Sequence, residues 1–198
     1  MTLEDQLTDY SHIARDEIRK DFGPRSCVPS TWITLRVMQR LGFSASPLVV
    51  QVHIFNAAYL SALSRNNGID PTPEENAEWT SRYGTWAIGI GLQSPGETDG
   101  IGGHVVATVE GRYLVDASID QANVPERGIV VPKTIVTPLT PLFIHGIAPL
   151  TVDVDGIEVR YFLHRLPAPL ESLPEWGDSA ESEQVVERIM NLLNQKEL

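Results

Sequence analysis

Apolar positions along the first twenty-odd residues recur at helical spacing. Leu3, Leu7, Tyr10, Ile13, Ile18 and Phe22 stand among charged residues and predict an amphipathic helix over 3–22, ended by Gly23-Pro24. A second helix is predicted from Ser26 as N-cap, with Pro29 tolerated in its first turn. Val28, Trp32, Leu35, Met38 and Leu41 give it a broad apolar side, and Gly42 is its natural stop. The pattern then changes period. Residues 47–56 are rich in branched side chains and read as a strand. Residues 57–63 predict a short helix. Residues 64–84 turn polar and carry Pro71 and Pro73, as expected of an insertion or lid.

Strand-like runs return at 86–92, 104–108 and 112–117, with shorter ones expected near 129–136 and 142–147. Between the first two, residues 94–103 hold Gly96, Gly100, Gly102 and Gly103 and are expected to be mobile. Residues 152–162 read as a hairpin turning at Asp155-Gly156. A segment rich in Pro and Glu, 167–178, reads as a linker. Val185, Val186, Ile189, Met190 and Leu193 predict an amphipathic final helix within 179–198, a candidate surface for a protein partner. Helices first and strands later predict an α+β fold in which N-terminal helices pack on an antiparallel β-sheet. The expected organisation is a single domain over 1–166 with an insertion at 57–84, then the linker, then the helix.

Composition narrows the function classes. The 198 residues are 42% hydrophobic, enough to bury a sizeable core. No apolar run approaches the ~18 residues of a membrane span, and the acidic N-terminus lacks the apolar core of an export signal. A net charge of −11 argues against nucleic acid as a partner, since phosphate binding needs clustered Lys and Arg. A single cysteine forms no internal disulfide and fits a reducing, cytoplasmic setting.

That cysteine, Cys27, falls in the first turn of the second predicted helix, where the helix dipole and free N–H groups favour a thiolate. His104 and Asp116 lie on two consecutive strands. Their numbers have equal parity, so they share a face only if the intervening turn has odd length. A three-residue loop Val109-Glu110-Gly111 pairs Thr108 with Arg112 and therefore His104 with Asp116. A two-residue turn puts them on opposite faces, leaving Asp120 or Asn123 as the next candidates. Other motifs are weaker. His53 and Asn56 end a strand, and His53, His104 and Asp116 lack the short spacing of a metal site. Asp153-Val-Asp155-Gly156 lacks the later ligands of a calcium loop. Gly89-Ile-Gly91 is a fragment of a dinucleotide fingerprint, and no Gly-x-Ser-x-Gly is present. No cofactor is expected.

A helix opening on Cys27, followed by strands carrying His104 and the run Tyr113-Leu-Val-Asp116-Ala, resembles the transglutaminase-like branch of the papain-type cysteine enzymes. That branch includes the arylamine N-acetyltransferases and bacterial transglutaminase-like peptidases. The resemblance spans residues 24–122. Two features depart from the family pattern: the Gly-x-Cys-Trp context is replaced by Arg25-Ser26-Cys27-Val28, and the aromatic residue after the histidine by Val105. The resemblance implies a papain/transglutaminase-like fold and a cysteine-dependent hydrolase or acyltransferase acting on an amide or (thio)ester of a small molecule or peptide. Cys27 would be the nucleophile, His104 the proton shuttle and Asp116 its orienting partner. The Cys27 backbone N–H would give one oxyanion donor and Gln51 is a candidate second. The competing classes are a catalytically inactive scaffold serving as a binding or accessory protein, and a metal-dependent hydrolase built on the histidines.

Overall fold

Helix α1 (Leu3–Phe22) is capped at its start by Thr2 and Asp5, which bond reciprocally to each other's backbone N–H. The computed structural model describes residues 2–91, 103–164, 169–173 and 176–195. Helix α2 (Cys27–Arg40) follows after a short turn. It ends as its glycine predicts: Gly42 adopts φ 84°, its N–H reaches Gln39 O, and the Phe43 N–H reaches Met38 O.

Strand β1 (Ala45–Asn56) is twelve residues long and is the spine of the sheet. Along one edge it pairs first with β3 (His104–Val109) and then with β2 (Ala87–Ile90); along the other it pairs with β7 (Ile157–Leu163). Strands β4 (Tyr113–Asp116), β5 (Ile135–Pro138) and β6 (Leu150–Val154) complete a seven-stranded, antiparallel sheet in the order β5-β4-β3-β1-β7-β6, with β2 beside β1. The architecture is therefore α+β. Among the described residues, no helix is long and apolar enough to cross a membrane.

Both faces of the central strands are buried. Ala107, Val109 and Val115 point toward a layer made by α1, α2 and the last helix, α6 (Ala180–Gln195). Val50, Val52, Ile54, Val106, Leu114 and Tyr161 point to a second core, closed by Ile119, Ile129, Val131 and Phe143. This two-sided burial is why Val105, Val106 and Ala107 form an unbroken apolar run rather than an alternating one. Each large aliphatic side chain hidden this way contributes about 1.5–3 kcal/mol. Val185, Val186, Ile189 and Leu193 are all buried, so the apolar side of α6 is spent within the chain.

Several expectations need correction. Residues 142–147 form no strand: Thr140 and Pro141 start a short helix α5 (Pro141–Ile144), with the Thr140 hydroxyl accepting from Phe143 N–H. The strand expected near 129–136 shifts to Ile135–Pro138, leaving a single bridge between Val124 and Ile129. The hairpin turn at Asp155-Gly156 does form, with φ 53° and 77° and Val154 opposite Ile157. The glycine-rich segment 94–103 lies, except for Gly103, outside the described residues, as do 165–168 and 174–175, which include part of the expected linker.

The insertion folds as two helices, α3 (Ala57–Arg65) and α4 (Pro73–Tyr83). They sit at the Asn56 end of β1, where Phe55 stacks on Tyr59 at 5.4 Å and Tyr59 meets Trp79 at 6.0 Å. The Val50–His104 pair lies six residues back along the strand, roughly 20 Å at 3.3 Å per residue. The insertion is therefore attached far along the strand from the pair that carries His104. Its apolar aromatic residues anchor it to the far half of β1.

Candidate active site

The β3–β4 turn decides whether His104 and Asp116 meet. It has odd length, as the parity argument requires, but it is centred one residue later than expected. Val109 pairs with Tyr113, and Glu110 and Gly111 take left-handed φ of 54° and 58°. Glu110 is the cause. Its N–H donates to Ser44 O at 2.8 Å and its carboxylate accepts from Ser44 N–H at 2.5 Å, which extends the β1–β3 ladder past Val109. Continuing the observed register sets Asp116 across from Val106, so His104 lies diagonal to Asp116 on the same face. Diagonal neighbours are within reach of long side chains. The His104 Nε2–Asp116 Oδ2 separation is 2.8 Å, with both side chains wholly buried.

Asp116 is held from several sides. Its Oδ2 also accepts from the Tyr161 hydroxyl at 3.2 Å, and its Oδ1 accepts from Ser118 N–H at 3.0 Å and Ser118 Oγ at 3.3 Å. Burial, reinforced by the adjacent carboxylate, pushes the Tyr161 phenol well above its ordinary range, so it stays neutral and donates. These donors fix the Asp116 carboxylate in place beside the ring. Burial works against charge on the His104 ring, but the Asp116 charge and hydrogen bond outweigh it and, with help from Cys27, raise the ring to about 10.

Cys27 opens α2 and is half-buried. Burial alone would push its thiol up. The hydrogen bond and charge of His104 and the Val105 N–H outweigh that and hold the thiol below its ordinary 9.0, with Asp116 opposing from farther off. The strand is tied to the helix nearby, where Thr31 Oγ1 donates to Val105 O at 2.8 Å. The structure thus brings Cys27, His104 and Asp116 together.

The helix start is fixed by an unexpected residue. Ser26 makes no capping bond to α2; its hydroxyl accepts from Arg15 Nη1 at 2.7 Å. Arg15 is fully buried, donates through Nη2 to Pro24 O at 2.8 Å, and binds Asp120 Oδ1 through Nε at 2.7 Å. Asp120 belongs to the 3₁₀ turn Ile119–Ala122, and so does Gln121, whose side-chain nitrogen lies 2.8 Å from His104 Nδ1. One ion pair therefore links the residues flanking Cys27 to the turn that covers the histidine.

The other sequence candidates sit elsewhere or are structural. Gln51 lies on the face of β1 opposite the one Val50 shares with His104, so the amide at the ring belongs to Gln121 instead. His53 packs on Phe162 at 4.9 Å, its pKa lowered by burial and by Arg160. Asn56 accepts from Tyr59 N–H and Trp86 N–H, and Asn123 from Val131 N–H. Among the described residues no group of three or more His, Cys, Asp or Glu is arranged to hold a metal ion. The metal-dependent reading has no ligand set there.

Comparison with known protein families, curated proteins and solved structures gives no match. The functional reading therefore rests on the residues themselves.

Proposed function

We propose that this chain is a cysteine-dependent hydrolase or acyltransferase with a transglutaminase-like, papain-type site, acting on an amide or (thio)ester of a small molecule or peptide. The observation that carries the reading is the buried His104–Asp116 pair at 2.8 Å, with the Cys27 thiol near enough to the ring for each to shift the other's titration. Cys27 sulfur attacks the acyl carbon and its proton passes to His104. The imidazolium, held by Asp116, returns that proton to the leaving amine, alcohol or thiol. Water or an amine then attacks the acyl-enzyme, His104 accepts the attacking group's proton, and the thiolate leaves. The Cys27 N–H, at the first helical position, has no partner within the helix and is free to donate to the oxyanion.

A second reading, an inactive scaffold that binds a partner, is favoured by the complete burial of His104. One experiment separates the two. Because Cys27 is the only thiol, alkylation by iodoacetamide, followed by intact mass across pH, reports on it alone. The enzyme reading expects rapid modification with an inflection below 9.0, moving upward in His104→Ala. Slow modification with an ordinary thiol inflection, indifferent to His104, would leave the scaffold reading.

A further inference from the structure

We propose that Tyr161 is a positioning residue: by sharing the Oδ2 oxygen of Asp116 with His104, its hydroxyl limits how tightly the carboxylate holds the imidazolium, so that the ring can pass its proton to the leaving group. This deepens the function proposed above and rests on it.

Tyr161 is polar where packing needs only an apolar ring. It stands on β7 opposite Val52 of β1 and Leu150 of β6, is wholly buried, and belongs to the second core. Phenylalanine would fill the same space. The hydroxyl instead reaches past β1 and β3 to Asp116 on β4. Asp116 Oδ2 thus accepts from two donors, His104 Nε2–H at 2.8 Å and the Tyr161 hydroxyl at 3.2 Å, while Oδ1 accepts from Ser118. The hydroxyl turns the positive end of its dipole toward Oδ2. There it offsets part of the charge that stabilises the imidazolium.

The reaction needs such a counterweight. Against its burial, Asp116 and Cys27 raise the ring to about 10. A general acid works best when its proton affinity matches the working pH, so each further gain in hold slows release of the proton. Tyr161 opposes that gain through a hydroxyl that burial keeps neutral. The titratable groups facing the ring are Asp116 from β4, Tyr161 from β7 and Cys27 from α2. Behind the turn that carries Gln121 are Asp120 with Arg15 from α1, and the more exposed Arg19.

The test is the titration of the His104 ring, read from its ¹⁵N resonances in a Cys27→Ala background that takes the thiol out of the couple. Tyr161→Phe keeps the buried ring and removes the hydroxyl, and should raise the midpoint by about half to one pH unit. Ser118→Ala, which takes a hydroxyl from the other oxygen of the same carboxylate, should move it less. In an Asp116→Asn background, Tyr161→Phe should no longer raise it. That pattern supports the proposal. An unchanged or lowered midpoint in Tyr161→Phe, a shift at least as large in Ser118→Ala, or a rise that persists in Asp116→Asn overturns it. A hydroxyl that only satisfied a buried carboxylate would change the melting temperature and leave the ring unmoved. If Tyr161→Phe does not fold, a ring-fluorinated tyrosine at that position, more acidic and so a stronger donor, should lower the midpoint; an unchanged or raised midpoint overturns the proposal. The wild-type alkylation profile judges the enzyme reading separately. The expected ring shifts beside an ordinary thiol would support the sharing of Oδ2 and refute the enzyme; an unmoved ring overturns the sharing even where Cys27 is reactive.

Discussion

Arg15→Leu should be among the most damaging single substitutions on the helical side. It removes the hydrogen bonds to Asp120 (2.7 Å), Ser26 (2.7 Å) and Pro24 O (2.8 Å) at once. The Asp120 side chain is only 4% exposed, and its one other cation among the described residues, Arg19 at 3.2 Å, has a side chain that is 50% exposed. Stripping one partner from a buried pair costs about 3–5 kcal/mol, because the remaining charge stays in a medium that solvates it poorly. For a chain of this size that corresponds to a fall in melting temperature of roughly 6–20 °C. Guanidinium unfolding of wild type, Arg15→Leu, Asp120→Leu and the double variant Arg15→Leu/Asp120→Leu would measure it as a cycle. The double variant should recover much of the loss, since neither charge is stranded. A single-variant loss under about 1 kcal/mol, or a double variant no better than the sum of the singles, would refute the claim that this pair matters through mutual charge compensation.

Two further outcomes follow from the site. Gly91 has φ +75°, and a Cβ there would sit 2.6 Å from Gly103 C and 2.8 Å from His104 N. Gly91→Ala should therefore destabilise by at least about 1–3 kcal/mol through backbone strain and slow Cys27 alkylation by displacing the ring; unchanged melting and reactivity would contradict it. The second concerns pH. Because the folded His104 is raised from 6.5 to about 10, its contribution is fully present below 6.5 and is lost as pH rises through about 10. In a Cys27→Ala background, which removes the coupled thiol, the stability advantage of His104 over His104→Asn should shrink between pH 7 and 10.5. An advantage that stayed flat or grew would oppose this assignment.

Much of the fold was legible because its elements obey local rules. Helix α1 combines a capping box with a 3.6-residue apolar period, α2 ends at a glycine that needs a left-handed φ, and Asp155-Gly156 marks a two-residue hairpin turn. The errors came from elements whose form is set by tertiary contacts. Apolar 142–147 became α5 and its flanks because Thr140-Pro141 favours a helix start over a strand. The β3–β4 turn slipped by one residue because Glu110 is held by Ser44, a contact 66 residues distant in the chain that no local rule encodes.

The site divides in the same way. Cys27 was visible from its place at a helix start, and His104 with Asp116 from strand parity, which survives a register slip of this kind because the slip moved the centre of the turn while leaving its length odd. Arg15 also left a signal: it lies on the buried stripe of α1 with Leu7, Ser11 and Ile18, where a cation requires a partner. Read that way, Arg15 asks for a buried acid, and Asp120 supplies it. Gln121 left none. An amide in a polar turn looks the same whether it faces solvent or an imidazole, and only the Arg15–Asp120 pair, drawing the turn onto α1 and Ser26, brings it over the ring. The substitution predicted to disturb the fold most should therefore also disturb the thiol. Arg15→Leu, assayed below its unfolding transition, should change the Cys27 alkylation profile although no atom of Arg15 is hydrogen-bonded to Cys27, His104 or Asp116. A profile identical to wild type in that folded variant would show that the turn holds Gln121 in place without the ion pair.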